Sequence, residues 1–248
     1  MISRLSGLVA PLAAAFFFFS SSVFAGDVKT VSLACNEFPP HKINAPPGEL
    51  PGFDVEILRE AFARSGVRTE IEFLPWKRAL HEVQVGNIDG LCSCSRHPDR
   101  DAWLVYSDSM GTVGVGSFHR ADIADEMRSD WKLPRNFSVG VVRAYNLQSE
   151  ITAAGLDPVL VKDDTQGLTM MVKGRLDVFV TFRDTGKYIL ARDFRGHHFS
   201  YREVRKSDYY ACFGKKSPDA HTLSKIFNKG LSSMIADGSR ARIVAKYK

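Results

Sequence analysis

Two stretches of this chain repeat one pattern: "VQVGNIDGLCS" covers Val83–Ser93, and "MVKGRLDVFVT" covers Met171–Thr181. In each, an apolar segment ends at a glycine, Gly86 or Gly174, and a short apolar run with an aspartate follows. Glycine ends helices because it adopts the left-handed conformation without a Cβ penalty. Short apolar runs after such a turn are typical of buried parallel strands. The repeat predicts two α/β halves. The alternative is that the helix–glycine–strand pattern, which is common in α/β proteins, occurs twice by coincidence.

The N-terminus has the composition of a cleaved export signal. Arg4 gives it a positive start, Leu8–Phe19 an apolar core, and Val23–Ala25 a small-residue cleavage site. The apolar run of about a dozen residues is short for a membrane span, which needs roughly 20. No cysteine lies at the cleavage point, so a lipid anchor is not expected. We expect a soluble periplasmic protein that starts near Gly26.

Size and charge narrow the class further. Removal of the signal from the 248-residue chain leaves 223 residues, enough for one large domain or two lobes of about 100 residues each. The net charge falls from +5 to +4 with the loss of Arg4, and the basic residues are spread along the chain. The most basic stretch, 240–248, is typical of a solvated helix face. Nucleic acid is therefore not an expected partner.

Four cysteines remain in the exported chain: Cys35, Cys92, Cys94 and Cys212. An oxidising compartment permits them to pair, with three connectivities. The first and third strands of a parallel α/β sheet of this kind are neighbours, so Cys35 is expected to meet Cys92 or Cys94. Free buried thiols are the alternative, since each cysteine lies in an apolar run. Zinc is less favoured, because the C-x-C spacing is wrong for a zinc knuckle.

Strands and helices alternate along most of the chain, which predicts parallel sheets with right-handed crossovers. The segment Gly52–Gly66 has apolar residues at helical spacing. Two extended stretches, Met110–Arg120 and Asp208–Lys216, do not fit the alternation. A terminal helix after Ser217 carries an apolar stripe that is expected to return to the first half. The strands predicted by this pattern are "VSLAC", "RTEIEFLPW", "IDGLCS", "SVGVV", "DPVLV" and "LDVFVT".

These patterns predict an α/β protein of two lobes. Each lobe is expected to be a mostly parallel sheet flanked by helices, and the two extended stretches are expected to cross between the lobes as hinge strands. The predicted boundaries are a signal peptide over 1–25, a first lobe over 26–113 and 208–248, and a second lobe over 114–207.

The order of several motifs resembles that of the bacterial periplasmic solute-binding proteins of family 3, the amino-acid ABC transporter type. The resemblance covers nearly all of the mature chain. It implies the type II periplasmic binding protein fold, in which two hinged lobes close on a small solute. The motifs that carry it are "NEFPPHKI", "LPGFDVEILREAF", "LPWKRALHEVQVGNIDG", "RHPDR", "VYSDSM", "SVGVV", "GRLDV" and "ADGSRARIVAKY".

The resemblance implies anion contacts in the first lobe. Arg100 falls where the family places the arginine that holds a ligand carboxylate, and a guanidinium fork suits both oxygens. The alternative is a surface ion pair with Asp99 or Asp101. Ser93 and Ser95 lie at the carboxyl end of the third strand, where open α/β sheets bind ligands, although they also suit a plain strand end.

The resemblance also implies an aromatic wall from Phe38 and Trp76, with core packing as the alternative for both. Tryptophan is rarely fully buried, and its N–H needs a partner. Arg78 is a candidate second anion contact, and an exposed helix arginine is the alternative.

In the second lobe, Ala144, Tyr145 and Asn146 occupy the place of a Gly-Thr-Thr-like turn at a helix N-terminus. Backbone N–H groups of such a turn can hold a carboxylate whatever the side chains are. Tyr145 is then expected to reach the cleft or to anchor the loop.

A larger departure from the family follows the "GRLDV" motif. Amino-acid binders supply an acidic residue after the "GRLDV" strand to hold the α-ammonium, and this chain has Phe182 there. Asp184 could substitute only if the loop bends, and Arg183 favours a second acidic group on the ligand. An ordinary amino acid is thus less favoured than another carboxylate-bearing solute.

The resemblance implies a monomeric, non-enzymatic protein without a cofactor or a metal. It is expected to capture a small carboxylate-bearing solute, an amino acid or related organic acid, for ABC-type uptake through a membrane permease. The alternatives are a sensor input that docks on a receptor and an enzyme similar to cyclohexadienyl dehydratase, with Glu150 and Glu203 as the acid candidates. No hydrolase or nucleotide motif is visible.

Overall fold

A computed structural model describes residues 30–126, 130–134 and 136–247, so the predicted export signal lies outside the described residues. The described chain alternates strands and helices as predicted. The strands are β1 (Thr30–Cys35), β2 (Arg68–Phe73), β3 (Gly90–Ser95), β4 (Leu104–His119), β5 (Val139–Val142), β6 (Val159–Val161), β7 (Val178–Phe182) and β8 (Ser200–Gly214). The helices are α1 (Phe53–Ala63), α2 (Trp76–Val85), α3 (Pro98–Asp101), α4 (Asn146–Ala153), α5 (Asp164–Val172), α6 (Arg183–Asp193), α7 (Ala220–Ala236) and α8 (Ser239–Ala245), with a short 3-10 helix at Ala121–Glu126.

The eight strands form one mixed sheet in the order β2-β1-β3-β8-β4-β7-β5-β6. Strands β1, β2 and β3 are parallel to one another at one end, and β5, β6 and β7 are parallel at the other. Strands β4 and β8 lie antiparallel between these two groups and pair along nearly their full length. The α/β class, the two parallel groups and the two extended connections agree with the prediction.

Both glycine stops end helices as predicted. Gly86 follows α2 with a φ of 90°, in the left-handed region, and its N–H donates to a carbonyl of the last turn. Gly174 follows α5 with a φ of 66°. In both places the chain then turns directly into a buried strand, β3 or β7.

The sequence pattern missed two features. The connecting strands β4 and β8 have 16 and 15 residues and join the two groups into a continuous sheet, where shorter hinge segments were expected. A helix, α6, begins at Arg183 directly after β7, in a segment expected to be a loop. Its low apolar content and its five charged residues, Arg183, Asp184, Lys187, Arg192 and Asp193, give a weak amphipathic pattern.

The four cysteines form two disulfides. Cys35 bonds Cys92 and joins β1 to β3, with the Cα atoms 5.1 Å apart; Cys94 bonds Cys212 and joins β3 to β8 at 6.3 Å. The alternative of four free thiols is therefore wrong, and the expected partner of Cys35 is Cys92. The second pair was not predicted, because sequence order alone does not show that β8 lies next to β3.

The C-terminal helix α7 packs against α1 at the first end of the sheet. The rings of Phe62 and Phe227 lie 5.7 Å apart, and a Cβ on Gly230 would come within 2.2 Å of the Ala61 carbonyl oxygen. The chain thus returns to the group of strands in which it started. The exact lobe boundaries remain a prediction. Among the described residues, no helix is both long and apolar enough to cross a membrane.

Candidate functional site

A cleft opens between the two groups of parallel strands, where their carboxyl ends face each other across β4 and β8. Open α/β sheets bind their ligands at such strand ends. The cleft receives side chains from loops and helix starts on both sides. Its lining consists of Asn36, Phe38, Lys42, Trp76, Ser93, Cys94, Ser95, Arg100, Val113, Tyr145, Asn146, Phe182 and Tyr209.

Most of the candidate site residues come together in this cleft. The first group of strands brings its contacts from the loop after β1, the start of α2, the end of β3 and α3. The second group brings the start of α4 and the end of β7. The eight candidates that line the cleft are Phe38, Trp76, Ser93, Ser95, Arg100, Tyr145, Asn146 and Phe182.

Arg78 and Arg183, two candidate anion contacts, lie outside the lining. The Arg78 side chain is 65% exposed and lies 3.6 Å from Glu82 one turn along α2, so it is a surface helix arginine. Arg183 opens α6 and forms ion pairs of 2.9 Å with Asp184 and Glu203. Arg183 is therefore engaged in ion pairs. So is Asp184, the acidic residue that could have held a ligand ammonium in place of the acid missing at Phe182.

Arg100 is buried and joins the two sides of the cleft. Its guanidinium lies 5.4 Å from the centroid of the Trp76 ring and donates to the carbonyl oxygens of Ala144, at 3.0 Å, and of Ser95, at 3.4 Å. The Trp76 indole N–H donates to the same Ala144 carbonyl at 2.9 Å. Ala144, which does not line the cleft itself, is therefore the backbone group that both first-side residues hold.

The predicted backbone anion site at this turn is partly occupied within the protein. Ala144 has a φ of 64°, and its N–H donates to the Gln148 side chain at 2.9 Å. The Tyr145 N–H donates to the Val142 carbonyl. These two donors are not directed at a ligand, so anion binding in the cleft depends on side chains more than the turn motif suggests.

Lys42 is a cleft residue that the sequence pattern missed. Its ammonium donates to Asn36 Oδ1 at 2.9 Å and lies 5.0 Å from the Phe38 ring centroid. Lys42 and Phe38 exchange two backbone hydrogen bonds of 2.9 Å across a tight loop, which turns the lysine inward. A lysine in a polar loop normally faces solvent, so only the paired backbone of this loop shows otherwise.

Burial lowers the pKa of Lys42 from its ordinary value of 10.5 to about 8. Desolvation disfavours the charged ammonium, and the more distant carboxylates of Asp54, Asp164 and Glu37 offset this only in part. Burial also lowers the pKa of Arg100, which still stays charged because a guanidinium titrates far above neutral pH.

Four aromatic rings surround the cations. Phe38 and Phe182 meet edge to face at 5.2 Å, Tyr145 meets Phe182 at 5.6 Å, and Trp76 meets Tyr145 at 6.2 Å. The Phe38–Phe182 and Trp76–Tyr145 contacts pair rings from opposite sides of the cleft, and the Tyr145–Phe182 contact lies within the second side. They form an apolar enclosure in which charge–charge contacts are screened less than in water.

A buried polar chain also crosses the cleft. The Tyr145 hydroxyl donates to Asp164 Oδ2 at 2.9 Å and accepts from the Asn36 amide at 3.3 Å, and the Thr181 hydroxyl donates to Asp164 Oδ1. Burial raises the pKa of Asp164 from its ordinary value of 3.8 to about 6, although both hydroxyl bonds act to lower it. Asp164 therefore changes charge within a mild pH range.

Asp164→Asn is expected to remove a pH dependence of stability. Between pH values near 3.8 and about 6, the folded state binds more protons at Asp164 than the unfolded state does, so the parent loses stability as the pH rises. Asparagine does not titrate and can still bond both hydroxyls. Urea titrations from pH 4 to 7 measure the unfolding free energy of both proteins. As the pH rises, the stability of the variant should increase relative to that of the parent. Parallel profiles would contradict the assignment.

In the part of the chain that the structure describes, the cleft lining contains two cations and no carboxylate. Glu150 and Glu203, the acid candidates for an enzyme, lie outside the lining and form ion pairs with Arg205 and Arg183. Among the described residues, no three His, Cys, Asp or Glu side chains are grouped as a metal site. Two cations inside an aromatic enclosure are chemically suited to an anion.

Comparison with solved structures shows the type II fold. A histidine kinase sensor domain similar to periplasmic binding proteins matches with a TM-score of 0.80 and 21% identity, covering 90% of this chain and 97% of that one. An ABC transporter substrate-binding protein from Streptococcus pneumoniae with bound histidine matches at 0.77 and 17%, covering 88% and 92%. The ancestral amino-acid-binding protein AncCDT-1, a precursor of cyclohexadienyl dehydratase, matches at 0.73 and 20%, covering 88% and 94%.

Comparison with curated protein sequences gives no match. The family model of the bacterial extracellular solute-binding proteins, family 3, matches residues 31–248, which is nearly the whole described chain. The strand order, the two long connecting strands and the cleft between two parallel groups are consistent with that match. The chain belongs to family 3 of the bacterial extracellular solute-binding proteins.

Proposed function

We propose that this protein captures a small carboxylate-bearing solute, an amino acid or related organic acid, in its cleft and delivers it to an ABC-type permease. The observation that carries the proposal is the buried Arg100 guanidinium, stacked near Trp76 inside an aromatic enclosure. A buried guanidinium with free N–H groups favours a carboxylate, because the fork matches both oxygens and the enclosure excludes water. Ser93 and Ser95 add hydroxyl donors beside it.

Closure is the second part of the proposal. We place the lobes at 26–113 with 208–248, and at 114–207, and expect them to move about β4 and β8 in a monomer. Arg100 and Trp76 reach the Ala144 carbonyl across the cleft, so these bonds form only when the lobes are closed. A solute that neutralises Arg100 would favour the closed state by its differential affinity.

The predicted signal and the family support a periplasmic location. It also suits the two disulfides, which persist in oxidising compartments.

A thermal-shift screen of amino acids, dicarboxylates and aromatic acids on the oxidised protein tests the binding function. Stabilisation of about 2.7 kcal/mol is expected at a hundredfold excess over the dissociation constant. Calorimetry on the hits then gives affinities. If neutral sugars or cationic amines raise the melting temperature and no carboxylate does, the proposal is wrong.

Sensing is the second candidate, because the same closure could be read by a membrane receptor. Deletion of the gene separates the two roles: loss of solute uptake supports transport, while intact uptake with a lost cellular response supports sensing. Catalysis is less favoured, since Glu150 and Glu203 are held in ion pairs outside the cleft. Recovery of the bound solute unchanged after long incubation is the expected result.

A further inference from the structure

Two cations in the cleft have no acidic partner within the described residues. Lys42 is only 3% exposed and Arg100 only 8%, yet neither forms an ion pair there. Lys42 donates to one amide oxygen, and Arg100 to two carbonyl oxygens. Taking a charge out of water costs several kcal/mol per ion unless an opposite charge meets it. Two buried, unneutralised cations in one cleft point to a ligand with two negative charges.

The two cations share one wall. The Lys42 ammonium lies 6.0 Å and the Arg100 guanidinium carbon 5.4 Å from the centroid of the Trp76 ring. A short molecule lying along this ring can therefore reach both. The Phe38 and Phe182 rings close the space beside it and suit an apolar spacer between the two charges.

The cleft lining, as far as the structure describes it, offers no counter-charge for an α-ammonium. The last residue of β7 is Phe182, and Asp184 is paired with Arg183 outside the lining. Of the buried acids nearby, Asp164 accepts from two hydroxyls and Asp54 accepts from Tyr209. An ammonium group bound here would meet two cations and only neutral acceptors, which is unfavourable in a low-dielectric site.

Resting on the proposed function, we infer that the solute is a short dicarboxylic acid without an α-amino group, one carboxylate on Arg100 and the other on Lys42. Lys42 thus determines specificity within the cleft. Trp76 and Phe38 cover the carbon chain between the two carboxylates. The bound dianion replaces the missing acidic partners of both cations.

The titration of Lys42 gives this contact a pH signature. A carboxylate on the ammonium raises the lysine pKa above its unliganded value of about 8, so binding takes up a proton when the pH exceeds 8. The other charges around Lys42 are Asp54, Asp164 and Glu37. Dicarboxylate affinity should therefore fall from pH 8 to 9.5 in the parent, and much less in Lys42→Met.

The test uses matched compounds on the oxidised full chain. Glutarate, L-glutamate and butyrate differ by one ammonium or one carboxylate, with succinate and adipate as length variants. Calorimetry should show that the best dicarboxylate binds at least about tenfold tighter than its amino-acid or monocarboxylate counterpart. The amino acid buries an ammonium without a counter-charge, and the monocarboxylate leaves one cation of the cleft unpaired. Lys42→Met should lower dicarboxylate affinity about thirtyfold or more and leave butyrate within a few-fold.

The outcomes separate this inference from the proposed function. If L-glutamate binds as tightly as glutarate, or if Lys42→Met changes all compounds equally, the dicarboxylate inference is wrong while carboxylate binding stands. If no carboxylate binds at all, both are wrong. Folding of Lys42→Met is checked by its unliganded melting temperature, expected to be at least that of the parent because a buried, unpaired charge is removed. Arg78→Met, on the exposed face of α2, is the matched control and should bind as the parent does.

Discussion

Arg100→Gln is expected to lower the affinity for the carboxylate solute about a hundred- to thousandfold, the range for truncating one partner of a buried charge pair. The variant keeps an amide N–H but loses the charge and the fork that meets two carboxylate oxygens. A carboxylate bound there would be buried without its counter-charge. Calorimetry with the best solute from the screen measures the loss, and the salt dependence of binding should fall with it.

Two controls isolate the charge from the closure contact. Trp76→Phe keeps an aromatic ring but removes the indole N–H bond to the Ala144 carbonyl, so a loss of about 1 kcal/mol, or roughly fivefold, is expected. Arg78→Gln changes a surface arginine on the same side of the cleft and should have little effect. Equal losses in Arg100→Gln and Trp76→Phe would mean that Arg100 serves closure alone and does not hold the carboxylate.

Much of this fold could be predicted from local patterns. Gly86 and Gly174 end their helices, and the apolar runs after them form strands, through interactions among residues close in sequence. These elements could therefore be predicted from the sequence alone. The helix α6 is different, because it begins with Arg183 and Asp184 and has no apolar stripe strong enough to show. Its formation depends on packing against the long strand β4, which local sequence does not report.

Site residues at the end of a predicted strand could be identified from the sequence. A side chain whose direction depends on backbone hydrogen bonds within a loop could not. Ser93 and Ser95 lie at the end of β3, Arg100 lies in α3 just after it, and all three line the cleft. Lys42 was missed because its burial depends on the paired loop with Phe38. Phe182, the last residue of β7, was the larger of the two departures from the family that the sequence shows. The consequence of Phe182 for the choice of ligand becomes clear only in the structure, where Lys42 and Arg100 share the cleft with it.

Loss of either disulfide is expected to lower the free energy of unfolding by about 4 to 5 kcal/mol, from the chain entropy released in the unfolded state. The pairs close segments of 57 and 118 residues, and doubling a loop changes the closure term by only about 0.6 kcal/mol. The Cys35→Ala/Cys92→Ala and Cys94→Ala/Cys212→Ala variants should therefore lose similar stability. Urea unfolding measures both losses, after non-reducing peptide mapping has verified the parent's pairing.

Binding should separate these two variants, since the bonds lie at different distances from the cleft. Cys94 lines the cleft between Ser93 and Ser95 and holds β3 to β8, whereas the Cys35–Cys92 bond ties β1 to β3 behind it. The Cys94→Ala/Cys212→Ala variant should therefore bind the solute more weakly, because the strand end that presents both serines loses its cross-link. The Cys35→Ala/Cys92→Ala variant should keep most of its affinity at temperatures where it stays folded. Equal affinities in the two variants would show that packing of β3 alone sets the serine positions.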